Sequence, residues 1–365
     1  MIPLIDVRPT YTELAGEIEE AVKRVLSSGQ YILGEEVKSF EEAWADYCGA
    51  YYAVGVGNGL DAIFLALKAL GIGPGDEVLV PAQTYIGTWL AVSRTGATIV
   101  PIEPNRHTYN INHDSLRGAL TSRTKAILPV HLYGLPAEMD EILLFAKDHG
   151  LYVLEDAAQA HGATFRGRRI GSHGDAVAWS FYPSKNLGCF GDGGAVTTND
   201  ERIAKRINLL RNYGSQKKNE HEIEGYNSRL DPIQAAILRV KLKRLDSWNQ
   251  RRALLAQRYL KNLSVKDIQL PTVPKHCSSA WHLFVIRHDK RALLSEKLRE
   301  ANITSQIHYP VPPHQQPAYK GALVQTFNLP IAELMSQTVL SLPIGPHLRM
   351  EDVDYIVDVL NQSLG

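Results

Sequence analysis

Between residues 55 and 200 the chain alternates short apolar runs with helix-patterned segments, and that alternation confines it to a sheet covered by helices on both faces. Residues 62–70 repeat apolar side chains at helical spacing and stop at Gly71. The turn Gly73-Pro74-Gly75-Asp76 then feeds an apolar run over 77–80. The cycle recurs: a helix starting near Tyr85 leads to a run over 97–102, and a run over 125–130 precedes a helix through Phe145 and Ala146. Runs over 151–156, 176–180 and 195–198 complete the set, with a helix from Asp200 to about Asn212. Each run is apolar throughout rather than alternating, as expected of strands sandwiched between helices. The spacing predicts an α/β fold with a mixed, mostly parallel sheet.

The polar stretch 214–221 reads as an exposed loop. From Asp231 an amphipathic pattern runs through Ala235, Leu238, Val240, Leu245 and Trp248 to about Leu263, with Pro232 in the first turn, where proline is tolerated. One long helix is expected there. A helix of that length often links two domains, so the division is expected near residue 240, between a large domain (1–240) and a smaller α+β domain (241–365). The latter should contain strands at 281–287 and 303–308 and helices at 289–301 and 351–362.

Composition narrows the partners. The 39 Lys and Arg balance 39 Asp and Glu, so no net charge draws the chain to nucleic acid or an acidic membrane. No basic segment followed by an apolar one marks a secretory leader, and no apolar run approaches the roughly 20 residues of a membrane span. Cys48, Cys189 and Cys277 are scattered, with neither metal-ligand spacing nor a disulfide framework. A cytoplasmic chain without nucleic-acid or membrane partners is expected.

Three features fall at the ends of predicted strands, where open α/β sheets bind ligands. In Glu155-Asp156-Ala157-Ala158-Gln159, Asp156 is a carboxylate in want of a cationic partner, though an Asp at a strand end is more often a turn or cap residue. In Ser180-Phe181-Tyr182-Pro183-Ser184-Lys185-Asn186, Lys185 read alone is a solvated charge. The glycines that follow at 188, 191, 193 and 194 let backbone approach a ligand closely. In Gly55-Val56-Gly57-Asn58-Gly59, a glycine turn before a helix can present N–H groups to a phosphate, or be a tight turn and no more. It is neither a Walker motif nor GxGxxG.

In this chain order the three motifs resemble the fold-type I pyridoxal-phosphate enzymes, particularly the DegT/DnrJ/EryC1/StrS sugar aminotransferases. Gly73-Pro74-Gly75-Asp76-Glu77-Val78 and Pro129-Val130-His131-Leu132-Tyr133-Gly134 match as well, and the resemblance spans about residues 3 to 360. It implies an aspartate-aminotransferase-like fold and the cofactor pyridoxal 5'-phosphate (PLP). Lys185 would carry the cofactor as a Schiff base and move the proton, Asp156 would keep the ring nitrogen protonated, and Gln159 would meet the phenolic oxygen. Tyr85 would stack on the ring or be a packed helix residue. Gly59 and Leu60, through backbone N–H groups, and the Ser180 hydroxyl would hold the phosphate. Asn227 would reach the neighbouring subunit's phosphate in a homodimer with shared sites, or cap the helix near Asp231.

Ile307-His308-Tyr309-Pro310, Ala160-His161-Gly162-Ala163 and Tyr226-Asn227-Ser228-Arg229 resemble the subgroup acting on dTDP-linked 3-keto-6-deoxyhexoses, with L-glutamate as donor. This makes His308 and Tyr309 candidates for hydroxyl or diphosphate contacts, and Tyr182 for one near the reacting carbon. His308, Tyr309 and His314 make no metal set. A 4-keto sugar is the alternative substrate. A sugar dehydratase of the same fold would have histidine in place of Lys185; a non-catalytic relative would have lost Lys185, Asp156 or Gln159; a Rossmann-type oxidoreductase would bind NAD near Gly55 to Gly59.

Overall fold

The computed structural model describes residues 1–217, 219–320 and 328–363; Lys218, within the polar stretch read as a loop, lies outside them. Its strands are β1 Tyr52–Val56, β2 Glu77–Pro81, β3 Thr98–Ile102, β4 Thr124–Ile127, β5 Tyr152–Asp156, β6 Thr164–Phe165, β7 Arg168–Arg169, β8 Ala176–Ser180, β9 Gly194–Thr198, β10 Cys277–Ser278, β11 Phe284–Arg287 and β12 Val339–Leu342. Seven of them form one sheet in the order β1-β9-β8-β5-β4-β2-β3. β9 runs antiparallel to both neighbours, and the remaining pairs are parallel. This is the expected α/β sheet.

Its topology decides where a site can form. The C-terminal ends of β1, β5 and β8 emerge at one edge, and the antiparallel β9 starts there. Gly194 is in register with both Val56 and Ser180, which brings the 57–59 turn beside the end of β8. Helices Gly59–Ala69 and Ile86–Thr95 cover one face, burying Leu65, Leu67 and Trp89 completely. Each such side chain contributes roughly 1.5–3 kcal/mol through burial.

A second apolar core gathers Tyr259, Phe284, Leu294, Leu298, Ile356 and Leu360. It joins helices Leu245–Asn262, Arg291–Glu300 and Met350–Gln362 to the antiparallel pair β11 and β12.

Two expectations need correction. The single helix from Asp231 is two, Pro232–Leu242 and Leu245–Asn262, broken at Lys243 and Arg244. The Arg244 N–H bonds the Lys241 carbonyl in a tight closing turn. The first helix packs Ala236, Ile237 and Val240 against Ile18, Ala21 and Val25 of helix Ala15–Ser28, while the second turns Leu255, Ala256 and Tyr259 into the other core. Apolar spacing continues through the break, so periodicity alone does not reveal it. Residues 303–308 are not a strand either. Ile303 bridges to Ile2 and Gln306 to Ser341, so the segment changes partner after a few residues. The strand pairing β11 is β12, which the sequence reading did not anticipate; nor did it place β1.

Candidate active site

Asp156 ends β5 and points away from Glu155, because successive strand residues face opposite sides. Glu155 is fully buried against His131: Ala137 N–H donates to His131 Nδ1 (3.0 Å), so the ring proton sits on Nε2 and donates to Glu155 at 2.8 Å. Asp156 instead accepts from the Thr88 hydroxyl (2.8 Å) and from Ala158 N–H (3.1 Å). The bond from Ala158 N–H makes it a turn residue, as one of its two sequence readings had it. Burial pushes its carboxyl up, against the opposing pull of Thr88, Ala158 and Lys185. A buried carboxylate in that position favours any cation offered to it.

Lys185 lies beyond the end of β8, at the close of a turn in which its N–H bonds the Tyr182 carbonyl at 2.8 Å and Pro183 fixes the bend. The loop folds back so tightly that a Cβ at Gly188 would lie 2.4 Å from the Pro183 carbonyl, which only glycine avoids. The Lys185 amine is depressed to about 8 by burial, with Asp156 pulling the other way. An amine so placed is partly neutral near physiological pH and can act as nucleophile and base.

Opposite stands an anion cradle. Asn58 caps helix Gly59–Ala69 by accepting from Asp61 N–H at 2.8 Å. That leaves Gly59 and Leu60 as first-turn N–H groups with no intrahelical partner. A Cβ on Gly59 would meet Ser180 Cβ at 2.6 Å, so the helix start and the Ser180 hydroxyl share one small space. Such a helix start with a hydroxyl beside it suits a phosphate.

Gln159 accepts from Tyr133 N–H (2.7 Å) through Oε1 and donates through Nε2 to the Tyr309 hydroxyl (3.1 Å), leaving one amide hydrogen free. Tyr85 is 58% exposed, not packed, with its ring 5.6 Å from that of Tyr309. Tyr182 is also exposed. His308 Nδ1 lies 2.8 Å from the Ser341 hydroxyl, and burial, then the Lys185 charge, bring it down to about 4, so it is neutral. Asn227 is exposed and bridges backbone to Asn212; Asp231 holds the cap position of helix Pro232–Leu242, so Asn227 does not cap it.

His314 pairs with Glu333 at 3.2 Å rather than with His308 or Tyr309. Away from this edge, Glu138, His276 and Cys277 bring donor atoms within 4.8 Å of one another, and the 2.8 Å bond from His276 to Glu138 accounts for that pair.

Thr88, His131 and Tyr133 escaped the sequence reading as site residues. Thr88 carries no signature at all. His131 and Tyr133 stood inside a motif, yet their partners lie more than twenty residues further on and could only be found in three dimensions.

A buried carboxylate, a depressed lysine and a helix start beside a hydroxyl gather at one sheet edge, an arrangement that suits a phosphorylated cofactor held by an amine. The chain belongs to the DegT/DnrJ/EryC1/StrS aminotransferase family, whose model matches residues 12–361 and whose cofactor is PLP. It is 51% identical over 362 residues to a dTDP-3-amino-3,4,6-trideoxy-alpha-D-glucose transaminase of Streptomyces venezuelae, covering 99% of this chain and 96% of the relative. It is also 51% identical over 362 residues to a dTDP-3-amino-3,6-dideoxy-alpha-D-galactopyranose transaminase of Aneurinibacillus thermoaerophilus, covering 99% of each. The crystal structure of S. venezuelae DesV in complex with a ketimine intermediate superposes with a TM-score of 0.97, covering 99% of this chain and 98% of that one at 51% identity. The enzyme class follows: this is a sugar aminotransferase.

Proposed function

We propose that the enzyme transfers an amino group from L-glutamate to a dTDP-linked 3-keto-6-deoxyhexose, forming the 3-amino-3,6-dideoxy sugar. The observation that carries this reading is the meeting of the Lys185 amine, the Asp156 carboxylate and the Gly59–Ser180 cradle in a chain 51% identical to two transaminases named for dTDP-3-amino sugars.

Gly59 and Leu60 N–H groups and the Ser180 hydroxyl would bind the cofactor phosphate. Asp156, oriented by Thr88 and Ala158, would hold a proton on the ring nitrogen. Gln159 would give its free amide hydrogen to the phenolic oxygen, and Tyr85 would cover the ring face. When bound, the cofactor is an electron sink for the charge left on a carbon that loses a proton. Lys185 would take that proton and return it to the carbon on the other side of the intervening nitrogen, a 1,3-shift suited to an amine that is half neutral near pH 8. Release of 2-oxoglutarate before the sugar reacts makes the kinetics ping-pong.

Tyr182, His308 and Tyr309 would contact the sugar nucleotide. A neutral His308 would do so as a hydrogen-bonding group, not as a cation against the diphosphate. Asn227 would reach the cofactor phosphate of a second copy, and exposed Tyr31, Ile32, Phe190 and Tyr213 offer apolar surface for such a homodimer. The division between a large and a small domain near residue 240 would fall close to the helix break at Lys243 and Arg244. No helix among the described residues is long and apolar enough to cross a membrane, and the three cysteines are free, in keeping with a cytoplasmic enzyme.

The test is an assay with glutamate and a panel of dTDP- and UDP-linked 3-keto and 4-keto hexoses, with the aminated carbon located by NMR. The reading expects turnover on the dTDP-linked 3-keto sugar; amination at carbon 4 would replace it by the alternative.

A further inference from the structure

Asn186, the residue after Lys185, is 5% exposed and uses its amide fully. Nδ2 lies 2.8 Å from Asn249 Oδ1 on helix Leu245–Asn262 and 2.7 Å from the Ala280 carbonyl; Oδ1 lies 3.2 Å from His282 Nδ1. The Ala280 carbonyl can only accept, so the atom facing it is the amide nitrogen. Asn249 agrees, since its own Nδ2 donates to the His161 carbonyl at 2.8 Å. The oxygen of Asn186 therefore faces His282, and His282 must donate from Nδ1. Two carbonyls thus fix two amides and one imidazole tautomer, leaving His282 Nε2 unprotonated.

The segment carrying Ala280 and His282 is itself tied over the site. Ala280 N–H donates to the Gly134 carbonyl (2.9 Å), and Leu283 N–H to the carbonyl of Tyr133 (3.2 Å), the residue that holds Gln159. Arg252 reaches the Trp281 and Ile344 carbonyls, each at 3.2 Å. Around His282 stand Lys185, Arg252, His308 and His161; burial, then Lys185, keep it neutral, well below the usual imidazole range. His161, brought down to about 3 by burial and then by Lys185, is neutral too.

We propose that Asn186 and His282 form a positioning latch, which ties the lysine-bearing loop to the 280–283 segment and so limits the access of water to the half-buried Lys185. The physical link is that burial is what depresses Lys185. Release of the latch lets more solvent reach the half-buried amine, which then regains proton affinity. This inference rests on Lys185 being the cofactor-anchoring amine, and capture of PLP by the unmodified apoenzyme tests that premise separately.

The experiment measures the rate of PLP capture by apoenzyme across pH, which reports the neutral fraction of Lys185 without turnover. In the unmodified protein capture should rise through about pH 8. Asn186→Ala and His282→Ala should move that midpoint up by about one unit. His282→Asn, which places an amide donor where Nδ1 stands, should restore it; His282→Gln, which places its amide where Nε2 stands, should not. Asn249→Ala, which removes a bond to the same amide without freeing His282, should lower thermal stability and leave the midpoint in place. An unchanged midpoint in folded Asn186→Ala, or equal shifts in the Asn and Gln variants of His282, overturns the latch. Should Asn186→Ala not fold, the comparison of His282→Asn with His282→Gln decides alone. Failure of the unmodified apoenzyme to capture PLP overturns the premise instead.

Discussion

Lys185 owes its reactivity to where the loop holds it. Burial lowers its amine from 10.5 to about 8, so between those values the folded chain binds fewer protons than the unfolded one. Its contribution to stability therefore rises with pH across that window and is least favourable below about pH 8. Lys185→Met should raise the melting temperature of the apoenzyme more at pH 6 than at pH 10; an equal effect at both would contradict the depressed value. Thr88 is the other residue with a specific task. Thr88→Val removes the 2.8 Å hydroxyl bond that favours the Asp156 carboxylate, which lets burial push Asp156 up further. A loss of about 1–2 kcal/mol of interaction is expected, seen as roughly tenfold lower kcat and weaker PLP binding, with the fold intact by circular dichroism.

At the scale of elements, the site depends on how strand ends meet helix starts. Gly59→Ala would force a Cβ to 2.6 Å from Ser180 Cβ, so PLP affinity should fall at least about tenfold while helix content is kept; unaltered affinity would remove Gly59 from the cradle. Lys241, 2% exposed, donates to the Gly188 carbonyl beneath the loop that follows Lys185 and lies 5.1 Å from the Phe190 ring. Lys241→Met leaves that carbonyl unpaired and should cost about 1–3 kcal/mol in denaturant unfolding. The same scale explains what the sequence disclosed. Six of the seven main-sheet strands were legible because apolar runs between glycine turns mark them, and the resemblance supplied Lys185, Asp156 and Gln159. β1 was hidden because its end, Gly55 and Val56, falls inside the run of glycines read as a turn, and β12 because it is four residues long and follows helix Pro330–Thr338 with no turn between them. The helix break at Lys243 was hidden because the two halves bury different faces under one continuous pattern. Hydrogen-bond partners such as Thr88 with Asp156, or Asn186 with His282, are distant in sequence and leave no spacing to read.

In the whole molecule, the 280–283 segment joins three apolar clusters, with Ala280, Trp281 and Leu283 each in a different one. If sites are shared between two copies, Asn227→Ala should weaken PLP binding without altering Lys185. Mixing it with Lys185→Ala should then recover part of the activity, since one mixed site keeps both residues; no recovery from a mixed dimer would place Asn227 outside the site. The central claim is that Lys185 anchors a cofactor that carries an amino group. Its most direct test is to load apoenzyme with PLP, add L-glutamate alone, and follow the visible absorbance of the bound cofactor. The absorbance should change stoichiometrically with release of one 2-oxoglutarate per site, and Lys185→Ala should abolish catalytic turnover. Bound cofactor whose spectrum and amino content glutamate leaves unchanged would contradict it.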